Sequence, residues 1–219
     1  GQWINVTGGT QASPVLVAGE TGTLSVYKDG SGNYVYTYTL ADNVTHPDQG
    51  ERGADDQLVT ENFKVRVRDS DGAESVPDAD STITVTVNDD GPTLVITENS
   101  ASVAEGQSVS GSWSLTQGAD GVTSVQVTFG SLSETLSLAP NSSVTLTGPT
   151  GTLVVRSNFT YSFTAVLNQD NDAVPAPSAT FSLRAVDGDG DPSSDSLTIA
   201  INDGPDADDA APITLTVDE

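Results

Sequence analysis

The residues of this chain that could do chemistry are carboxylates placed in turns. Asp187, Asp189 and Asp191 alternate with Gly188 and Gly190. Three carboxylates at alternate positions of such a turn can converge on one calcium ion at about 2.4 Å, because glycine permits the tight backbone that brings them together. A hydrogen-bonded aspartate turn without metal is the alternative, and the sequence leaves it open. We therefore predict a calcium site at this turn.

A weaker copy of this turn lies in the first half of the chain. Asp69 and Asp71 flank Ser70 and precede Gly72, so two carboxylates rather than three stand at alternate positions. The same metal chemistry is predicted there, with the same alternative of a metal-free turn.

Two alternating strands run into acidic linkers. Residues 84–87 and 198–201 are each followed by Asn, Asp, Gly and Pro, which cannot continue a β-ladder because Pro lacks an N–H donor and Gly and Asn favour turns. Each copy therefore predicts the last strand of a domain and a short linker, and the polar loop at residues 41–62 adds further acids. The predicted calcium ligands are accordingly Asp42, Asp69, Asp71, Asp89, Asp90, Asp187, Asp189, Asp191 and Asp203.

Topology predicts which of these carboxylates share an ion. If the last two strands of a unit are antiparallel, the Asp-Ser-Asp-Gly turn lies where the chain enters the unit, whereas the loop at 41–62 and the linker lie where it leaves. The joint is then expected to combine the linker and loop acids of the first unit with the Asp187 turn of the second. Without cations these carboxylates would repel one another. Calcium is therefore expected to make a flexible Gly-Pro linker stiff.

Composition limits the possible partners. The chain has 219 residues, of which 31 are acidic and 7 are basic, and its formal net charge is −24. Nucleic acid and anionic membranes are therefore not expected as partners, since both favour a basic surface. The lack of cysteine removes disulfides and thiolate metal sites. No apolar run reaches about 18 residues, so no membrane-spanning helix is predicted.

Catalytic constellations are not found in the sequence. His46 is the single histidine and precedes Pro47 in an acidic loop, and there is no cysteine and no Gly-x-Ser-x-Gly motif. A nucleophilic triad therefore has no support. A carboxylate pair acting on a glycoside would need a cleft, which thin β-sandwiches rarely offer. We predict that the chain is not an enzyme.

Short alternating blocks of Val, Thr, Ile and Ser predict an all-β chain, and these blocks are repeated. Residues 22–26, 33–38, 63–72 and 84–92 match residues 151–155, 158–163, 181–190 and 198–205, in the same order and largely aromatic for aromatic. The first two blocks predict a β-hairpin. We predict two β-sandwich domains in tandem, residues 1–90 and 91–204, joined by a short acidic linker. Residues 205–219 are predicted to be a linker and the first strand of a further unit.

The first unit is shorter than the second. Only 21 residues precede residue 22, whereas residues 91–150 hold several predicted strands. We expect the first unit to lack about two opening strands, which leaves a hydrophobic edge to be covered. The cover is expected from residues before Gly1 or from another chain, with residues 213–217 as the expected donor strand.

Tyrosines mark the second strand of the first hairpin. Tyr34, Tyr36 and Tyr38 share one face and are expected to pack in the core, with a sugar-stacking platform as the alternative. After the loop at 41–62, residues 63–68 are predicted to form a half-exposed strand.

The ordered blocks resemble a known repeat. They read Gly-Thr-Leu, Asn-Tyr-x-Tyr-x-Tyr-x-Leu, Thr45-His46-Pro47, Phe-x-Val-x-Val-x-Asp-Ser-Asp-Gly and Val-Asn-Asp-Asp-Gly-Pro. This set is similar to the immunoglobulin-like tandem repeats of large RTX adhesins, which bacteria export by type I secretion, and it covers nearly the whole chain twice. The second unit departs from the pattern, since its loop at 168–180 is shorter and lacks His-Pro.

The resemblance implies a calcium-stiffened extender segment of a bacterial cell-surface adhesin, cadherin-like in its calcium linkers, that serves cell adhesion and biofilm formation. Its implied location is extracellular, and its implied partners are the neighbouring repeat domains. Because such adhesins also carry ligand-binding domains, the alternative function is a module that binds a surface glycan or peptide.

Overall fold

The structure is a computed structural model that describes residues 2–41, 44, 59–75, 81–88, 90–167, 169, 175–188 and 190–204. These residues form β-strands and their connections, with no α-helix among them, so the predicted all-β class is confirmed. Within those ranges, no helix is long enough and apolar enough to cross a membrane. Most of the chain up to Asp89 forms one compact unit, and the chain from Asp90 onward forms a second.

Unit 1 contains five strands in two sheets in its described part. β1 (Val15–Ala18), β2 (Gly22–Lys28) and β3 (Tyr34–Leu40) form one antiparallel sheet in that order. β4 (Val59–Lys64) pairs antiparallel with β5 (Thr82–Val87) in the other. The predicted hairpin and the predicted return strand are therefore both present.

One carboxylate builds the turn between β2 and β3. Asp29 Oδ1 accepts hydrogen bonds from the backbone N–H groups of Ser31 and Asn33 at 2.9 and 2.8 Å. Gly32 supplies the positive φ of 89° that the turn requires. The backbone hydrogen bond from Asn33 is the main reason that the pKa of Asp29 lies below its ordinary value. The turn is thus specified by its own local sequence.

β4 differs from the prediction at both ends. It begins at Val59, inside the predicted loop at 41–62, and ends at Lys64, so the strand predicted at 63–68 is wrong in its later residues. The alternating half-buried positions of β4 include Glu61 between two apolar residues. A carboxylate at an inward position breaks the apolar pattern that marks a strand in the sequence, so the local pattern predicts a loop where β4 begins.

Unit 2 is a sandwich of two five-stranded sheets. Its strands are β6 (Thr93–Thr97), β7 (Ser102–Ala104), β8 (Ser108–Thr116), β9 (Ser124–Phe129), β10 (Leu132–Ser137), β11 (Ser143–Gly148), β12 (Gly151–Arg156), β13 (Thr160–Ala165), β14 (Ser178–Val186) and β15 (Pro192–Asn202). One sheet has the order β11-β12-β13-β8-β6, and the other has the order β10-β9-β14-β15-β7. Neighbours are antiparallel except for β15 and β7, which pair in parallel.

The core of unit 2 is built by the inward faces of these strands. β14, for example, buries Ala179, Phe181, Leu183 and Ala185 and leaves the residues between them exposed or half-buried. A strand buries every second residue, so this period of two follows directly from the sequence pattern. Each fully buried Leu or Phe side chain contributes about 1.5 to 3 kcal/mol, and this burial stabilises the unit without disulfides.

The two units share the register of their matched strands. The paired positions are Leu24–Tyr38 and Leu153–Phe163 in the hairpins, and Phe63–Ile83 and Phe181–Leu197 in the last two strands. A shift by one residue would turn every inward side chain outward, so the shared register places the matched residues on the same face of the sheet in both units.

The units differ in what surrounds these matched strands. β6 to β10 of unit 2 have no counterpart in the described part of unit 1. Counted over the described residues, the difference is five strands, whereas the sequence predicts a difference of about two. β13 consequently pairs with β12 on one side and β8 on the other, whereas β3 pairs with β2 alone among the described strands.

Candidate metal centre

The two aspartate turns predicted as metal sites have the same backbone geometry. In unit 1 the N–H of Asp69 donates to the carbonyl of Ala73 at 3.0 Å, and the N–H of Ala73 donates to Asp69 Oδ1 at 2.9 Å. In unit 2 the N–H of Asp187 donates to the carbonyl of Asp191 at 3.2 Å, and the N–H of Asp191 donates to Asp187 Oδ1 at 2.7 Å. The first aspartate of each turn therefore closes the loop through one of its two oxygens.

Only the turn of unit 2 buries its carboxylates. Asp187 is 8% exposed and Asp191 is 1% exposed, whereas Asp69 and Asp71 are exposed. Ala73 takes the place of Asp191 in unit 1. Asp187 Oδ2 is buried and accepts no hydrogen bond from any described residue. Burying a carboxylate oxygen without a donor costs free energy, which a bound cation would offset.

Glycines allow a neighbouring loop to lie against this turn. A Cβ atom on Gly188 would be 2.8 Å from the backbone oxygen of Asp120, in the loop at residues 117–123 between β8 and β9. Gly190 has a φ of 115°, which residues with a side chain rarely adopt. The Asp120 carbonyl therefore lies against the backbone of the Asp187 turn, and carbonyl oxygens are calcium ligands of the same hard type as carboxylates.

Asp90 reaches the same loop from the linker. Its two carboxylate oxygens lie 3.2 and 3.1 Å from the backbone nitrogen of Ala119, which donates to both. A Cβ atom on Gly118 would lie 3.3 Å from the backbone oxygen of Asp90. Three acidic segments therefore lie together at the end of the sandwich where the chain enters unit 2, namely the linker, the 117–123 loop and the Asp187 turn.

The structure groups the predicted ligands only in part. It brings Asp187 together with Asp191, and it places Asp90 on the adjoining loop. Across the described ranges, no three His, Cys, Asp or Glu side chains lie close enough together to hold one metal ion. Asp42, Asp89 and Asp189 lie outside the described residues, so their predicted role as ligands stays a prediction.

The turn of unit 1 satisfies its carboxylate with its own backbone. Asp69 Oδ1 also accepts the N–H of Asp71 at 3.2 Å. The side chain of Asp71, followed by the backbone N–H groups of the turn, holds the pKa of Asp69 below its ordinary value. This is the local arrangement of an aspartate turn that forms without metal. A metal at Asp69 and Asp71 stays a prediction.

A buried glutamate, Glu105, lies at the end of unit 2 opposite to the Asp187 turn, beside the end of β15. Glu105 is 1% exposed, and its Oε1 accepts the N–H of Gln169 at 3.0 Å. The N–H of Glu105 donates to the carbonyl of Asn202 at 3.1 Å, next to the exposed Asp203. A Cβ atom on Gly204 would lie 3.1 Å from the Cβ of Glu105. The predicted ligand Asp203 therefore adjoins a buried carboxylate that the sequence analysis missed.

A sequence signal for Glu105 did exist. It is the single charged residue between Glu98 and Asp120, and Gly106 follows it with a φ of 67°. A lone charge followed by a glycine at a strand end can indicate a side chain that turns inward across a tight bend.

Tyr34 and Tyr36 of β3 do not pack in a core as predicted, whereas Tyr38 packs edge-on against Phe63 with 6.1 Å between the ring centroids. Tyr34 is 48% exposed, Tyr36 is 56% exposed and Tyr38 is half-buried. Tyr161, which matches Tyr36 in unit 2, is only 1% exposed. The prediction was wrong because burial of this face requires strands that the described part of unit 1 does not contain.

Tyr38 belongs to a polar cluster that joins the two sheets of unit 1. Its hydroxyl donates to Glu61 Oε2 at 2.7 Å and lies 2.7 Å from the hydroxyl of Thr21, which donates to the same oxygen at 3.0 Å. The backbone N–H of Glu20 donates to the other oxygen of Glu61. A Cβ atom on Gly19 would overlap this carboxylate, so only glycine allows the contact.

The cluster changes the acidity of its members. Partial burial favours the neutral carboxyl of Glu61, but the hydrogen bonds from Tyr38, Glu20 and Thr21 outweigh it and lower the pKa of Glu61 below its ordinary value of 4.5. Burial, together with the neighbouring Glu61, raises the pKa of Tyr38. Hydrogen bonds from four donors to the ionised Glu61 carboxylate thus connect the two sheets of unit 1.

Comparisons with known proteins find similarity among solved structures alone. No protein-family model matches the chain, and no curated protein matches it. Among solved structures, the chain is similar to the crystal structure of the S-layer protein SbsC domains 4 and 5, with 16% sequence identity over 81% of this chain and 88% of that chain. The TM-score is 0.28. A similarity at that score carries no argument about the function of this chain.

Proposed function

We propose that this chain is a non-enzymatic spacer at the bacterial cell surface. More specifically, it is a calcium-stiffened extender segment of an RTX adhesin that is exported by type I secretion and serves cell adhesion and biofilm formation. The ordered sequence blocks support the adhesin family. Two compact β units in tandem, with the linker residue Asp90 at the start of the second, support the spacer role.

One observation carries the calcium part of this proposal. Asp187 and Asp191 are buried in one turn, and Asp187 Oδ2 accepts no hydrogen bond within the described residues. Burying a carboxylate oxygen without a donor costs free energy, and a cation bound at this oxygen would offset that cost. Oxygen ligands alone favour a hard cation such as Ca²⁺ over softer metals.

The position of this site explains how binding there would stiffen the chain. A cation held by Asp187, Asp191 and the carbonyl of Asp120 would fix the loop at 117–123 against the turn. That loop holds Asp90 through the N–H of Ala119. Asp90 is a linker residue at the start of unit 2, so fixing the loop would also hold this end of the linker in place.

Calcium titration tests the proposal with a control inside the same chain. Binding to the calcium-free protein is measured by isothermal titration calorimetry, and stability is followed by thermal unfolding. The test variant is Asp187→Asn/Asp191→Asn, and the matched control is Asp69→Asn/Asp71→Asn in the exposed turn of unit 1. We expect the wild type and the control to gain about 2.7 kcal/mol at a calcium concentration of 100 times Kd, and the test variant to lose that gain.

Small-angle scattering during the same titration tests stiffening. We expect calcium to narrow the distribution of interatomic distances in the wild type and to leave the Asp187→Asn/Asp191→Asn variant unchanged. Calcium binding that survives in this variant would place the site elsewhere. Binding without any change in scattering would retain the site and refute the stiffening role.

A ligand-binding module is the second candidate, because Tyr34 and Tyr36 are both exposed on β3. Exposed aromatic faces can stack on sugar rings or on peptide side chains. Glycan-array binding that is lost in Tyr36→Ala and kept in the calcium-site variant would favour this candidate over the spacer.

A further inference from the structure

The outer edge of β3 has no partner among the described strands of unit 1. The matched strand β13 carries β8 on that side, with Tyr161 opposite Gly111 and Phe163 opposite Val109. We propose that the β3 edge is a docking edge for an extended antiparallel peptide segment with the residue pattern of β8. This interaction surface goes beyond the spacer role and does not depend on calcium.

The exposure of one tyrosine locates the docking edge. Tyr36 and Tyr161 occupy the same register position, opposite Val26 on β2 and Val155 on β12. Tyr36 is 56% exposed and Tyr161 is 1% exposed. In unit 2 the Tyr161 ring lies between Gly111 of β8 and Phe181 of the facing sheet, whose ring centroid is 5.1 Å away. Of these two covers, β8 is the one without a counterpart among the described strands of unit 1.

Tyr161 shows what the docked strand must contain. A Cβ atom on Gly111 would overlap the ring and hydroxyl of Tyr161, so the ring crosses the partner strand where a side chain is missing. The Tyr161 hydroxyl then donates to the carbonyl of Thr97 on β6 at 3.3 Å. A strand that covers Tyr36 in the same way therefore needs glycine directly opposite it.

A second requirement comes two residues further along β8. Trp113 packs edge-on against Phe159, with 4.8 Å between the ring centroids, and its backbone N–H donates to the carbonyl of Phe159 at 3.0 Å. Phe159 matches Tyr34, and the two side chains are similarly exposed, at 40% and 48%, so this position adds a ring contact rather than burial. The docked strand must therefore carry an apolar residue, a glycine and a large aromatic residue at alternate positions, as β8 does at positions 109, 111 and 113.

β3 lacks the devices that usually prevent such pairing. Its seven residues, Tyr-Val-Tyr-Thr-Tyr-Thr-Leu, include no charge and no proline. Exposed edges are commonly blocked by lysine, proline or a bulge. In β-strand addition the main-chain hydrogen bonds provide affinity and the alternate side chains provide specificity, and β3 offers both.

Two segments of this chain do not fit the docking edge. Residues 42–58, between β3 and β4, are rich in acids and lack an alternating apolar pattern. Residues 213–217, the donor expected from the sequence, resemble β6, and β6 pairs with β8 rather than with β13. The register therefore favours a strand of the β8 type at this edge. Residues 213–217 lie outside the described residues, so their expected role as a donor strand stays a prediction.

The probe is a synthetic peptide with the sequence of residues 106–117, which contains β8, added to the full chain. Hydrogen exchange with peptide-resolved mass spectrometry measures protection of β3, and fluorescence anisotropy of the labelled peptide measures affinity. A second peptide carries Gly111→Val. Two chain variants complete the set, namely Tyr36→Ala and, as a matched control on the opposite edge of the sheet, Leu16→Ala, where the side chain is 61% exposed.

We expect the peptide to protect β3 amides and to bind the Leu16→Ala variant as it binds the wild type. The Gly111→Val peptide and the Tyr36→Ala variant are each expected to weaken binding about tenfold or more, the equivalent of 1.4 kcal/mol. No protection of β3, or equal binding of both peptides, would overturn the proposal. Protection of β3 by self-association without peptide would also overturn it, because a second copy would then be the occupant.

Discussion

The cluster of Glu61 and Tyr38 permits a quantitative test of how unit 1 is held together. By register, the matching positions in unit 2 are Ala179 and Phe163, which are 1% and 0% exposed. The same place between two sheets is therefore occupied by a hydrogen-bonded polar pair in one unit and by an apolar pair in the other. The perturbation is the double-mutant cycle of Tyr38→Phe and Glu61→Ala.

The magnitudes follow from the contacts. Tyr38→Phe removes a hydrogen bond of 2.7 Å to a charged carboxylate, and such bonds contribute about 1.5 to 3 kcal/mol. Because the cluster is only partly buried, we expect the lower end, about 1.5 kcal/mol. Glu61→Ala removes the acceptor of four donors and is expected to cost about 2 to 3 kcal/mol. The double variant is expected to cost about 1 kcal/mol less than the sum, because members of one network are coupled.

The pH dependence has a definite sign. The folded pKa of Glu61 lies below its ordinary value of 4.5, so the folded state binds the ionised form more strongly than the unfolded chain does. The stability contributed by Glu61 is therefore fully present above pH 4.5 and is lost as pH falls through the lower folded pKa. A Glu61→Gln variant should lack this component, and its stability deficit against the wild type should shrink as pH falls below 4.5.

Urea unfolding with pulse-labelling hydrogen exchange resolves the two units, because peptides from β2 and β3 report on unit 1 alone. Tyr36→Phe is the matched control, since it removes a hydroxyl from the same strand at an exposed position and is expected to cost less than about 0.5 kcal/mol. The hydrogen bonds of this cluster do not connect the two sheets if the destabilisations of the two single variants add to that of the double variant within about 0.3 kcal/mol. The same holds if Glu61→Gln keeps the wild-type pH dependence of stability.

Three glycines provide further predictions. Gly19→Ala should displace the Glu61 carboxylate and destabilise unit 1 by about 1 to 3 kcal/mol, with no further loss in a Glu61→Ala background, measured by the same exchange experiment. Gly111→Val should destabilise unit 2 by about 3 kcal/mol or more, because its side chain would overlap the aromatic ring opposite, and thermal unfolding should show one lowered transition. Gly188→Ala should push the turn away from the carbonyl of Asp120, because its methyl group would collide with that backbone oxygen, and should weaken calcium binding in calorimetry. Unchanged calcium affinity would show that this carbonyl does not bind the ion.

Local patterns predicted the parts of the fold that depend on near neighbours. The hairpin of β2 and β3 follows from two alternating strands around a turn that Asp29 and Gly32 build from adjacent residues. Strand β5 was likewise predicted, because its alternation ends at a linker where pairing must stop. β4 was misread because Glu61 is satisfied by residues about forty positions earlier, at a distance that no local pattern contains.

The sequence by itself therefore determined the strand type, the repeat of two units and the acidic turns, because period-two alternation and turn residues act over a few positions. Burial was decided only by the tertiary structure. Tyr36 and Tyr161 stand in matching local sequences, yet Tyr36 is exposed, whereas Tyr161 is buried between β8 and the Phe181 ring of the facing sheet. Asp187 likewise differs from Asp69, since its burial comes with Asp191 and a neighbouring loop. Contacts between strands far apart in the chain set the environment of a side chain, and with it the chemistry that the side chain can do.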